Sequence, residues 1–106
     1  MKIGIIIYSD DSETVWNAFR FGNFAAMMDD EVKVFFIGKG VEAELLDRDA
    51  FKVAEQLEEF LEGGGKVYIC STCLEIHQLK APAGFVSATL KELYAIVNES
   101  DKIVTF

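Results

Sequence analysis

Cys70 and Cys73 lie three residues apart in the stretch VYICSTCLEIH, Val67 to His77, and they are the two cysteines of the chain. Its one histidine, His77, follows four residues after the second. These three side chains are the candidate catalytic residues. A Cys-x-x-Cys pair can supply a nucleophilic thiol and a resolving partner, because the thiolate is the form that attacks. His77, one helical turn beyond Cys73, would face the same way and stabilise a thiolate or move a proton. The same spacing also reads as Cys-x2-Cys-x3-His, three ligands for zinc or iron. A structural zinc site needs four ligands, so the fourth would be a carboxylate, a water or a group from another subunit. The plainest reading is a small buried cysteine ending a strand and a packed cysteine on a helix.

The elements around the stretch bear on these readings. KIGIIIYS (Lys2–Ser9) is nearly continuous apolar sequence rich in isoleucine, which predicts a strand buried on both faces of a parallel sheet. Asp10–Met28 predicts a helix capped by Asp11 or Ser12. Glu31–Gly38 predicts a second buried strand, followed by a connection with a short helical turn. Ala50–Gly65 predicts an amphipathic helix with Ala50, Ala54, Leu57 and Leu61 on its inner face, ended by three glycines. Lys66–Cys70 predicts the third strand, and STCLEIHQL a short helix capped by Ser71 or Thr72. Pro82 and Gly84 mark a loop. Ser87–Ser100 predicts a helix with Leu90, Leu93, Tyr94 and Val97 inward, and Thr89 with Glu92 as a candidate capping box. Lys102–Phe106 is the last predicted strand.

Alternating buried strands and helices predict an α/β fold in three layers, with a mostly parallel four- or five-stranded sheet. Ligands and reactive groups gather at the carboxyl ends of such strands. Cys70 stands at one of these ends, just before a helix N-terminus whose unpaired N–H groups favour an anion. A thiol there is expected to have a lowered pKa, with Cys73 in the first turn of that helix and Cys70 just before it.

A chain of 106 residues is expected to form one domain, 1–106, and a hydrophobic fraction of 51% supplies a core. The net charge of −8, from 18 acids against 10 bases, argues against nucleic acid and against a basic membrane-surface helix. No apolar run approaches the roughly 20 residues of a membrane helix. The start MKIGIIIYSDD lacks a cleavage site of small residues and reads as a strand. The expected location is therefore cytoplasmic, where a cysteine pair is more often catalytic or metal-binding than structural. In the first helix, Trp16, Phe19, Phe21, Phe24, Met27 and Met28 spread around most of the circumference, leaving Glu13, Asn17 and Arg20 as a narrow polar strip. Such a helix needs cover on more than its sheet side, so a homo-oligomer is expected.

Other sites read as structural. YSDDSET lies where a flavin phosphate would be held, but its acids would repel a phosphate and it has no glycine. A phospho-accepting receiver would need an aspartate where this chain has Cys70. Gly63–Gly65 lacks the lysine of a phosphate-binding loop and is a turn. Glu55, Glu58, Glu59 and Glu62 form a solvated face. No cofactor is expected.

Taken in order, KIGIIIYSDDSETVWNAFRFGNFA, EVKVFFIGKGVEAELL, YICSTCLEIHQL and SDKIVTF resemble the DsrE/DsrF-like family of small α/β proteins, which includes sulfur-relay members. YchN-like members carry C-G-T-C-L-x-x-R-G after the third strand; here the segment is Cys70-Ser71-Thr72-Cys73-Leu74-Glu75-Ile76-His77-Gln78, with His77-Gln78 in place of Arg-Gly. The resemblance implies a fifth strand around Gly84–Val86 and assembly as trimers or hexamers. It further implies that Cys70 accepts a persulfide sulfur from a protein donor and passes it to a protein acceptor, with Cys73 as the second cysteine of the pattern.

Overall fold

The computed structural model describes residues 1–46 and 50–106. The elements run β1 (Lys2–Ile7), α1 (Ser12–Met27), β2 (Glu31–Phe36), a 3-10 helix (Gly38–Leu46), α2 (Val53–Glu62), β3 (Lys66–Cys70), α3 (Ser71–Ile76), β4 (Val86–Ala88), α4 (Leu90–Glu99) and β5 (Lys102–Thr105). The strands form one parallel sheet in the order β4-β3-β2-β1-β5. The expected connection after β2 opens as the 3-10 helix, and residues 47–49 of it lie outside the described residues.

This order fixes which helix covers which face. From β1 to β4 the chain steps in one direction, and right-handed crossovers place α1, α2 and α3 on one side of the sheet. The last crossover returns past every strand to β5, so α4 lies on the other side. Pleating divides the strand residues accordingly. Ile3, Ile5, Ile7, Val32, Val34, Phe36, Val67 and Ile69 join the large core under α1 and α2, with Phe19 and Phe60 packed edge to face at 5.6 Å. Phe35, Cys70 and Ala88 point to the other face, where Ile96 of α4 completes a much smaller cluster.

Gly4 lets α4 approach β1. A Cβ there would lie 2.8 Å from Ile103 Cδ1, 2.9 Å from Ile96 Cγ2 and 2.9 Å from Ser100 Oγ. The helix starts at the capping box, in which the Thr89 hydroxyl accepts from the Lys91 N–H and the Glu92 carboxylate accepts from the Thr89 N–H. Asp11 caps α1 by accepting from the Thr14 N–H at 3.0 Å.

Several expectations give way to tertiary context. Ser87 pairs in β4, in register with Ile69, so the last helix begins after it. On α2 the buried residues are Val53, Leu57 and Phe60; Ala50 and Ala54 are exposed. On α4 only Ile96 is fully buried and Leu93 is partly so. Leu90, Tyr94 and Val97 face solvent, Tyr94 at 75%. This one ten-residue helix packs chiefly against β1 and β4, which leaves its apolar flank bare. On α1, Phe19 is buried and Trp16 rests on Phe51, whereas Phe24, Met27 and Met28 are exposed.

Gly4→Val is expected to lower the free energy of unfolding by about 1–3 kcal/mol through overpacking, measured by urea denaturation. A variant as stable as the parent would show that α4 does not rest on β1 in this way.

Candidate functional site

The chain leaves β3 at Cys70 in extended geometry and turns directly into α3. The residue at that corner is the helix cap. The sequence offered Ser71 or Thr72 for this role, but both fall inside the first turn. Cys70 takes it instead, its Sγ accepting the Cys73 N–H at 3.4 Å. Sulfur is a weak acceptor, and the choice follows from the parallel pairing of β3 with β4, which brings Cys70 opposite Ala88 and stops the strand there.

Cys70 is 4% exposed, on the α4 side of the sheet beside Phe35, Ala88 and Ile96. Cys73 is half-buried and touches both the large and the small cluster, so it sits where the two sides of the sheet meet. Both thiols are free. The Cys73 sulfur accepts the Gly38 N–H at 3.2 Å, from the first residue of the 3-10 helix. Gly38 has φ +60°, a left-handed conformation that glycine takes without steric cost.

The electrostatics of Cys73 run against the expectation of a lowered pKa. Burial pushes its thiol above the ordinary value of 9.0, and its contact with the Cys70 thiol pushes the same way; the Gly38 N–H pulls it down. Desolvation is the largest of these influences. With six residues, α3 has few aligned peptide dipoles to stabilise an anion.

His77 follows α3 as its C-cap, and its N–H donates to the Cys73 carbonyl. The imidazole faces the 3-10 helix, with Nδ1 2.7 Å from Glu42 Oε1. Neither sulfur has the imidazole as a hydrogen-bond partner among the described residues. The structure thus brings Cys70 and Cys73 together and directs His77 to a carboxylate instead. The three-ligand reading finds no support: no group of three or more His, Cys, Asp or Glu side chains converges to hold a metal ion among the described residues.

Two residues at the site escaped the sequence reading. Gly38 carried a signal, since a glycine closing an apolar strand marks a turn. Glu42 carried none; it is a single acid in a connection, far from His77 along the chain. No helix is long and apolar enough to cross a membrane among the described residues.

Known proteins resemble this chain over most or all of its length. The model of the DsrE/DsrF-like family matches residues 1–106. An uncharacterised protein of Methanocaldococcus jannaschii is 32% identical over 114 residues, covering 100% of both chains. One from Methanopyrus kandleri is 31% identical over 100 residues, covering 89% of this chain and 83% of its own. Among solved structures, the YchN protein of E. coli superposes with a TM-score of 0.83 at 22% identity, covering 100% of each chain. A protein of unknown function from Methanobacterium thermoautotrophicum gives 0.74 at 18% identity, covering 99% of this chain and 98% of that one. At these identities the structural likeness speaks for the fold.

The raised pKa has a signed consequence. The folded state prefers Cys73 protonated, so its contribution to stability is present below the unfolded thiol value and is lost as pH rises beyond it. Alkylation of Cys73, followed by mass spectrometry of the labelled peptide, is expected to keep accelerating with pH through and past 9.0. A plateau reached by about pH 8, the mark of an activated thiol, would contradict this account.

Proposed function

The chain belongs to the DsrE/DsrF-like family, and from that premise we propose that it is a sulfur-relay protein, carrying a persulfide on Cys70 with Cys73 as its resolving thiol. The observation that supports this reading most is the pair itself: two free thiols in contact at the carboxyl end of β3, one of them capping α3. In the loading step the Cys70 thiolate attacks the outer sulfur of a donor persulfide. The donor S–S bond breaks, the donor leaves as a thiolate, and Cys70 holds the new S–S bond. In delivery an acceptor thiolate attacks the outer sulfur and Cys70 leaves as the thiolate. The persulfide extends the buried side chain by one S–S bond, about 2.05 Å. Cys73 can instead attack the inner sulfur, releasing hydrosulfide and leaving a Cys70–Cys73 disulfide that a dithiol reductant must open. A desolvated, protonated Cys73 makes that discharge slow, which preserves the carried sulfur.

The proposal includes a cytoplasmic location, where a reducing pool keeps both thiols free, and protein partners as donor and acceptor. It also includes a homo-oligomer, a trimer or hexamer. Support comes from two exposed apolar regions on opposite sides of the sheet: Phe24, Met27 and Met28 of α1, and Leu90, Tyr94 and Val97 of α4. A second reading, an oligomeric binding module with structural cysteines, draws on the burial of Cys70 and the raised pKa of Cys73.

Mass spectrometry after incubation with a persulfide donor separates the two. The parent is expected to gain about 32 Da, the mass of one sulfur, Cys73→Ser to keep the gain, and Cys70→Ser to lose it. Full retention in Cys70→Ser would move the carrier role to Cys73. No gain on either cysteine would leave the binding module as the better reading. For the assembly, Met27→Glu with Phe24→Glu, or Tyr94→Glu with Val97→Glu, is expected to reduce the mass seen by light scattering. A parent that runs as a monomer at micromolar concentration would refute the oligomer.

A further inference from the structure

After β2 the chain crosses α3 as a strap of residues 38–43. Two contacts fasten it. The Gly38 N–H donates to Cys73 Sγ at 3.2 Å, and Glu42 Oε1 meets His77 Nδ1 at 2.7 Å. Gly38 and Glu42 are four residues apart, as are Cys73 and His77, so the contacts form two successive rungs between the segments. The strap is rooted on its other side. Val41 and Ala43 are buried in the large core, and a Cβ at Gly40 would collide with the Ile7 carbonyl, so the strap lies hard against the end of β1. Gly38 and Glu42 are left as the points that meet α3.

From this arrangement we infer that the Glu42–His77 pair is a clasp that holds residues 38–43 over Cys73 and limits how fast that thiol reacts. Glu42 and His77 are then positioning residues, acting on the sulfur through the strap and touching no reacting atom. The strap has two opposed effects on Cys73: it buries the thiol, which disfavours the thiolate, and it supplies the Gly38 N–H, which favours it. Burial by all of its surroundings outweighs the Gly38 N–H at Cys73, and a loosened strap leaves the sulfur more accessible to a labelling reagent. The side chains of His77 and Glu42 are 23% and 38% exposed, and a polar contact this close to water is weak. A weak pair suits a clasp that has to release. The inference rests on the reading of Cys70 and Cys73 as the working site, where the clasp would set the lifetime of a persulfide by restraining the thiol that discharges it.

The test needs no sulfur donor, so its failure is separable from a failure of the relay reading. In a Cys70→Ser background, iodoacetamide labelling of Cys73 is expected to quicken about fivefold in Glu42→Ala, the scale set by one partly exposed hydrogen bond. His77→Ala should match it, and the double variant should be no faster than either single one. Glu42→Gln, which keeps an acceptor oxygen and loses the charge, should fall between parent and Glu42→Ala. Hydrogen exchange at the Gly38 amide should speed up in Glu42→Ala while amides of β1 and β3 keep their protection, a pattern that general destabilisation would not give. An unchanged labelling rate in Glu42→Ala, or a double variant whose effect is the product of the singles, would overturn the clasp. If His77→Ala does not fold, Glu42→Ala with the exchange measurement decides alone.

Discussion

A parallel sheet of five strands has two apolar faces to keep from water, and this chain covers them unequally. Three successive right-handed crossovers use α1, α2 and α3 on one side. The other side receives a single ten-residue helix, α4, on the long return from β4 to β5. Much of the rest follows from that imbalance. The large core holds Ile3, Ile5 and Ile7 of β1 and the edge-to-face pair Phe19 and Phe60, while the α4 side holds Phe35, Cys70, Ala88 and Ile96. Gly4 is small because α4 must come close to β1 to cover anything there. Leu90, Tyr94 and Val97 are bare because a lone helix has no neighbour to bury its flank.

The cysteine pair sits on the boundary between the two sides. Cys70 belongs to the thin side and Cys73 touches both. Their chemistry is governed by competition between a hydrogen bond and desolvation. Each sulfur accepts a backbone N–H, and for Cys73 burial wins. In the relay role proposed above, a thiol kept protonated would be a restrained resolving group, holding the carried sulfur until an acceptor arrives.

The legibility of the chain follows the range of the interactions involved. The strands β1, β2 and β3 were readable because continuous β-branched sequence is a local signal of burial on both faces. The Thr89–Glu92 box was readable because its partners are three residues apart. On α2, Leu57 and Leu61 were placed inward correctly, whereas Ala50 and Ala54 are exposed and the true stripe runs through Val53 and Phe60, with Phe60 packed on Phe19 of another element. The three-residue β4 is too short to carry a pattern of its own; its pairing with β3 defines it, and the family resemblance was the one hint of it. At the site, the closeness of Cys70 and Cys73 was legible from their spacing. The partner of His77 was not, because Glu42 lies 35 residues away in a connection of no distinctive sequence.

By itself, then, the sequence determined a parallel α/β domain with two thiols at the carboxyl end of its third strand, since periodicity, composition and short spacings are all local quantities. The tertiary structure decided which sulfur caps the helix, how far each is removed from water, and that the histidine answers to a carboxylate. Those properties are set by desolvation and by contacts between distant segments, and neither exists until the sheet has brought β1, β2 and β3 side by side.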